Sequence, residues 1–580
     1  MKEGVKFINE YAFSYCTSLD TLTLSEGIES IDQYAFQNCT SLTKVTIPSS
    51  VTYISQNVFK DCTSLETVTF KEGSKITSLS PYLFYGCQKL SKVELAEGLK
   101  EICYLAFKGC TALTAIEIPD SVTTVSTDSF AGTGIYDNAD NWDASGVLYV
   151  DGWLIVPKEK IKGEYEIKEG TRGIAMRAFY QNTGLTKITF PKGLKYIGDS
   201  AFEGCTGLTE ITIPEGTVSI GNYAFLMCSN IAKITLPSTL TDIGYLAFDS
   251  TKCWVDSYYA GNGIIYFDDY LISAGSAKES NIEVKPGTKV IAGGAFSQYD
   301  SSNTTLKSVT IPDSVTAIGD RAFEDCTNLT QINFAEGSNL KTIGEYAFIY
   351  CDSLETINIP ASVTNLGYGL FYNDNAIKEV NVESGNENYK SIDGVLFNKD
   401  GTELIFYPDG KTDSSYTIPN GVKTIDANAF YGCENLTKLT IPASVEYIGY
   451  DAFTNCKNIK DLCYLGTEEQ SYKIYFEGYD SDSDCTAYYA IRYAGDTEHT
   501  HTGGKATCTE DGVCSECGTK YLTATGHDLQ TTTKSATFFK DGLKTTKCVH
   551  EGCTFVETEV LPSTIHRILN WFKNIFKFAF

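Results

Sequence analysis

The sequence predicts a β-rich repeat solenoid, a parallel sheet built from coils of about 23 residues joined by short turns and helical segments. Three observations carry that expectation. Phe recurs at 13, 36, 59, 84, 107 and 130, at intervals of 23, 23, 25, 23 and 23 residues, and the series resumes at Phe179, Phe202, Phe225 and Phe248, at Phe296, Phe323, Phe348 and Phe371, and at Phe430 and Phe453. Alternating apolar residues precede each Phe. A Cys follows three residues after eleven of the sixteen: Cys16, Cys39, Cys62, Cys87, Cys110, Cys205, Cys228, Cys326, Cys351, Cys433 and Cys456. A chain of 580 residues is too long for one core, and an array that grows coil by coil escapes that limit.

One unit, Leu42 to Ser64, shows the parts. Leu42, Val45 and Ile47 form a leucine-rich L-x-x-L-x-L pattern whose last two members alternate as a short strand with one buried face. Pro48 ends that strand because it lacks the N–H a continuing ladder needs. Val51 and Ile54 supply a second apolar pair for the opposite wall, and Val58 and Phe59 close the coil. No coil can bury its apolar face alone, so neighbours bury it for one another. The repeated Cys stacks into a ladder of small, well-buried hydrophobes, and a ladder offers no unique disulfide pairing.

The unit resembles the BspA-type leucine-rich repeats of bacterial surface proteins, and segments such as LTEITIPEGTVSIGNYAFLMC follow that pattern almost word for word. The resemblance covers residues 1–466. It implies extracellular or cell-surface display and an adhesive role.

Three long intervals interrupt the array, giving variant repeats near 131–170, 253–290 and 381–420. SGVLYVDGWLIVPKEK (145–160), NGIIYFDDYLISAGSA (262–277) and DGVLFNKDGTELIFYPDG (393–410) each place two apolar runs around an Asp-rich turn, the pattern of a β-hairpin. Each is followed by a return to the repeat.

Beyond the last coil, residues 467–498 are expected to cap the stack. Thr467 and Gln470 make a capping-box pattern, and AYYAIRYAG reads as a closing strand. Met1 stands where other repeats have the last apolar residue of a strand, so the native protein, signal peptide included, is expected to begin upstream. Residues 499–562 read as two small Cys/His-rich modules, KATCTEDGVCSECG aligning with SATFFKDGLKTTKCVHEGC. Cys514 with Cys517 and Cys548 with Cys553 form paired knuckles whose spacing suits a four-Cys structural zinc site, or else disulfides or free thiols. Zinc is the one cofactor the sequence raises, and none is required. Residues 563–580 predict a basic amphipathic helix, with Ile565, Ile568, Leu569, Phe572, Ile575, Phe576 and Ala579 on one face. It is too short to span a bilayer, and it suits packing on its own chain or a peripheral membrane or cell-wall contact.

A net charge of −27 excludes a nucleic-acid partner, which needs a cationic surface. Residues 1–498 contain no His, which removes Ser-His and Cys-His nucleophile arrangements. A carboxylate-based hydrolase is the remaining catalytic reading and is disfavoured, because scattered Asp and Glu show no pairing. Asp480, Asp482 and Asp484 begin like a calcium loop, but Cys485 stands at the turn Gly and Ile491 at the bidentate Glu. The outward strand row holds Thr23, Thr46, Thr69, Thr189, Thr212, Thr235, Thr310 and Thr440, as suits an open sheet face, and elsewhere Glu94, Glu117, Asn333, Asn358 and Asn381. The chain is therefore expected to be a monomeric, non-enzymatic, surface-displayed scaffold that binds a host or microbial surface protein or glycan through the solenoid. The alternative is a structural cell-envelope spacer.

Overall fold

In the unit Leu42–Ser64, the strand Lys44–Ile47 buries Val45 and Ile47 completely while its other residues face outward. It pairs in parallel with Thr67–Phe70, residue for residue from Lys44 with Thr67 to Ile47 with Phe70. Past Pro48 the chain reverses through a turn closed by Val51 N–H donating to the Pro48 carbonyl at 3.2 Å. Tyr53–Ile54 then form a two-residue strand paired in parallel with Ser30–Ile31 of the preceding coil. The opposite wall is thus itself laddered, and the array carries long-strand and short-strand ladders facing each other across the apolar core.

A third wall follows the short strand. Asn57 (φ 62°) and Asp61 (φ 58°) are left-handed. With them, the N–H groups of Asn57, Phe59 and Asp61 donate to Pro81, Leu83 and Tyr85 of the next coil at 3.2, 3.0 and 2.7 Å. The N–H groups of Lys60 and Cys62 close local turns on Asn57 and Phe59, each at 3.2 Å. Alternating φ turns every second N–H sideways to the neighbouring coil, so the backbone of a turn-only wall is paired as a sheet would be. Each non-glycine left-handed residue costs roughly 1–2 kcal/mol, and Asn, Asp and Gly tolerate the conformation best.

Inside this wall the Phe rings stack face to face. Phe13 to Phe36, Phe36 to Phe59, Phe59 to Phe84, Phe84 to Phe107 and Phe107 to Phe130 are separated by 5.3, 5.5, 5.8, 5.6 and 5.8 Å. The two 25-residue coils, Phe59 to Phe84 and Phe323 to Phe348, take their extra residues between the two ladders, in turns closed by Ser74 N–H on Lys71 and Ser338 N–H on Ala335.

The structure is a computed structural model describing residues 4–298, 305–373, 376–471, 474–476, 491–493, 529–534, 542–548 and 556–561. Two units divide the chain, residues 1–349 with 365–370 and residues 350–364 with 371–580. Among the described residues, no helix is long and apolar enough to cross a membrane.

The interruptions are hairpins whose second strand takes a place in the short-strand ladder. Val147–Val150 pairs antiparallel with Trp153–Pro157, and Trp153 and Leu154 then pair in parallel with Gly173 and Ile174. Ile265–Phe267 and Tyr270–Ser273 repeat this, with Leu271 opposite Ile291. The hairpin-turn residues Asp151 and Asp268 accept backbone N–H groups of the coil before, from Ile118 at 2.6 Å and Leu236 at 3.1 Å. That explains an Asp at both turns. In the second unit Val395–Asn398 pairs with Glu403–Phe406, and an additional strand, Tyr389–Ile392, precedes them. The sequence reading of that segment missed the first strand, whose YKSI pattern is only half-buried and carries no apolar alternation.

Thr467 N–H donates to Gln470 Oε1 at 2.8 Å and Gln470 N–H to Thr467 Oγ1 at 3.2 Å, a reciprocal capping box. Beyond it, Tyr475–Phe476 adds to the short-strand ladder and Ile491–Tyr493 to the long-strand ladder. Leu529–Lys534, Gly542–Cys548 and Val556–Leu561 form an antiparallel meander, an arrangement the Cys-based reading of 499–562 did not include.

Candidate recognition surface

The outward strand row is laddered as its sequence suggests. Thr46 pairs with Thr69, Thr212 with Thr235, Thr310 with Asn333 and Asn358 with Asn381. Thr440 departs from it, since only 9% of it is exposed. Thr23 and Glu117 lie in coils without a long strand.

The ladder thiols are free. Those of Cys39, Cys62, Cys87 and Cys110 donate to the carbonyls of Phe13, Phe36, Phe59 and Phe84 at 3.2, 3.1, 3.1 and 3.1 Å. Burial pushes the thiols of Cys110 and Cys205 up to about 12, which leaves them protonated and poor nucleophiles at neutral pH.

Carboxylates on the turn wall also join coils. Asp199 Oδ1 accepts Asn222 N–H at 2.8 Å, and Asp320 Oδ1 accepts Glu345 N–H at 2.8 Å. Burial raises the Asp199 carboxyl, and the charges of Asp320 and Glu101 add to that against the bond from Asn222. Each carboxylate already serves a backbone donor. Among the described residues no group of three or more His, Cys, Asp or Glu is placed to hold a metal.

The unassigned chemistry on this wall is tyrosine. Relative to the stacked Phe, Tyr stands three before (Tyr104, Tyr245, Tyr368, Tyr450), two before (Tyr11, Tyr34, Tyr82, Tyr223, Tyr346), one after (Tyr85, Tyr180, Tyr372, Tyr431) and two after (Tyr15, Tyr350). Tyr15, Tyr11 and Tyr104 are 67%, 54% and 46% exposed. Tyr11, Tyr15, Tyr34 and Tyr82 occupy left-handed positions with φ between 56° and 59°, where a bulky side chain is disfavoured. Tyr11 stacks on Tyr34 at 4.9 Å, and Tyr82 meets Tyr104 edge-on at 5.6 Å. Tyr245 and Tyr346 are tied down. Glu324, 5% exposed, accepts Tyr245 Oη–H at 3.0 Å and Arg321 Nη1–H at 2.6 Å, and the Arg321 guanidinium lies 4.9 Å from the Tyr346 ring centre.

The register of these tyrosines was missed in the sequence. The signal was present, since these residues keep fixed offsets from the Phe series. Of the four Cys read as a zinc or disulfide site, Cys548 ends the strand Gly542–Cys548, while Cys514, Cys517 and Cys553 lie outside the described residues. Asp480, Asp482, Asp484 and segment 563–580 also lie outside them.

The model for the BspA type leucine rich repeat region (6 copies) matches residues 3–136, 162–278, 295–413 and 403–496. Among solved structures, the pneumococcal vaccine antigen PcpA is similar at 24% identity over 54% of this chain and 64% of its own, with a TM-score of 0.29. A leucine-rich repeat protein from Eubacterium ventriosum is similar at 29% identity over 37% of this chain and 60% of its own, TM-score 0.31. A leucine rich cell surface protein from Faecalibacterium prausnitzii is similar at 22% identity over 78% and 88%, TM-score 0.19. The chain thus spans less than two thirds of the first two. No curated protein matches it.

Proposed function

Because the chain belongs to the BspA-type leucine-rich-repeat family, we propose that it is a non-enzymatic recognition scaffold displayed at the bacterial cell surface, binding protein or glycan in an adhesive role. The observation that carries this reading is tyrosine at left-handed backbone positions. Tyr11, Tyr15, Tyr34 and Tyr82 hold a conformation that Asn57 and Asp61 fill in another coil at lower cost. A spacer needs only the ladders and the Phe stack, which Asn, Asp or Gly would serve better. Keeping a bulky aromatic against that preference points to use of the ring, and Tyr, with Trp and Arg, is enriched among the residues that carry binding energy at recognition surfaces.

The test follows from the strain. The purified chain is screened by biolayer interferometry against matrix proteins, mucins and polysaccharides, beside a variant carrying Tyr11→Asn, Tyr15→Asn and Tyr82→Asn. Binding that falls at least tenfold with an unchanged or higher unfolding midpoint supports recognition through this wall. No binding across the panel, or binding indifferent to the three changes, overturns it.

Within the same reading, segment 563–580 serves as a peripheral membrane or cell-wall contact. Cys514, Cys517, Cys548 and Cys553 hold a structural zinc or form disulfides, which metal content and thiol titration of the intact protein distinguish.

A further inference from the structure

The turn wall is not uniform in charge. Around Phe59, Phe84 and Phe107, wall segments 55–63, 80–88 and 103–111 hold Tyr82, Tyr85, Tyr104, Lys60 and Lys108, with Asp61 as their single acid. This is a local cationic excess on a chain of net charge −27. Lys60, Tyr85 and Lys108 each follow the stacked Phe of consecutive coils, and the backbone ladder fixes them side by side. Asp61 N–H donates to the Tyr85 carbonyl at 2.7 Å, and Gly86 N–H to the Lys108 carbonyl at 2.8 Å.

The result is a row of cation, aromatic ring, cation. Lys60 Nζ lies 5.4 Å from the Tyr85 ring centre, and Lys108 is exposed. Beside the row, Tyr82 packs against Tyr85 at 5.9 Å and edge-on against Tyr104 at 5.6 Å. Among the described residues neither lysine has an ion-pair partner, in contrast to Arg321, which is committed to Glu324. Two cations on a tyrosine-covered surface are too few to neutralise a polyphosphate backbone. They suit one carboxylate at a time, with the Tyr104 ring, 46% exposed, left for the C–H surface of a pyranose.

We propose that Lys60, Tyr85 and Lys108, with Tyr82 and Tyr104, form a binding site for carboxylated sugar units of an acidic polysaccharide. The Tyr104 ring stacks on the sugar and the lysines pair with its carboxylate. This inference rests on the recognition reading and gives that surface a ligand class. Uronic-acid polymers and sialylated glycans share the chemistry, so both are probed.

The full chain is titrated by saturation-transfer NMR and calorimetry with oligogalacturonate and with sialyllactose, against the methyl-esterified oligogalacturonate and lactose. Binding of either carboxylated probe is expected to be at least tenfold tighter than that of its neutral counterpart and to weaken with added salt. It should fall at least tenfold in Tyr104→Ala and in the double variant Lys60→Gln with Lys108→Gln, and stay unchanged in Tyr450→Ala of the other unit. The unfolding midpoint of each variant shows whether the fold is kept, and the lysine pair, exposed or half-exposed, serves if Tyr104→Ala fails to fold. Absence of binding by both acids, equal binding of the neutral probes, or indifference to the wall variants overturns the inference. If protein partners still bind through Tyr11, Tyr15 and Tyr82 while the saccharides do not, the ligand class falls and recognition stands. If nothing binds in either experiment, both fall.

Discussion

The regular coils differ from two of the three interrupted ones at one ladder residue. Three residues after Phe36, Phe59, Phe84 and Phe107 stands a Cys whose thiol reaches back to the Phe carbonyl of the coil before. At two exits from the array, after Phe130 and Phe248, the position is Thr133 and Thr251. Their hydroxyls turn instead to the Phe carbonyl of their own coil, at 2.7 and 2.9 Å. The same oxygens accept N–H from Tyr136 at 3.2 Å and Trp254 at 3.4 Å, capping the helices Gly134–Asp137 and Lys252–Ala260. A thiol is a weak donor that leaves the backbone to its neighbours, while a hydroxyl competes locally for backbone groups. One position therefore either continues the coil or releases the chain into a hairpin.

Breaking the regular side should cost most. Phe202 stacks at 5.2 Å on Phe179 and 5.1 Å on Phe225, and Phe202→Ala is expected to lose about 3–5 kcal/mol in urea unfolding. Phe248 has a stacked neighbour on one side and an edge contact with Phe267 on the other, so Phe248→Ala should fall toward the lower end of that range.

The interrupted side has its own weakness in Asp409. It is 6% exposed, its Oδ1 has no hydrogen-bond partner, and burial, with Asp352 adding like charge, pushes it up to about 8. Its folded pKa lies above the unfolded value of about 3.9, so the folded state keeps a proton the unfolded chain gives up. Stability should fall by about 1.4 kcal/mol per pH unit as pH rises from about 4 to about 8, then level off. Asp409→Asn should remove that slope when urea midpoints at pH 5, 7 and 9 are compared with the parent.

Smaller effects sharpen the contrast. A Cβ on Gly173 would run into the ring of the fully buried Trp153, so Gly173→Ala should cost roughly 1–3 kcal/mol, measured as a lowered thermal midpoint. Thr251→Ala should cost about 1 kcal/mol by loss of its cap, and Thr251→Cys should fail to restore it. Full rescue by Cys would end the distinction between continuing and releasing residues.

The parts legible in the sequence were those with apolar period. Val45, Ile47, Ile54 and Phe59 announce the ladders and the core, and the Asp-containing turns announce the hairpins. The stacked-turn wall was not legible, because its alternation lies in the sign of φ and Tyr82, Leu105 and Asn57 fill the same left-handed role. The meander strands LQTTTK, GLKTTKC and VETEVL were masked by a focus on neighbouring Cys. The tyrosine surface escaped because its register appears only when Tyr is counted from Phe.

The placement of the extra residues in the long coils has one more consequence. Ile31 to Phe36, Ile54 to Phe59, Leu79 to Phe84 and Ile102 to Phe107 keep the same separation, while Lys71–Ser74 and Ala335–Ser338 absorb the additional length at the corner between the ladders. Insertions there leave the aromatic side chains of the turn wall in step. The wall is a ruler graduated at the coil spacing, about 4.8 Å, and its divisions hold while the far corner varies in length.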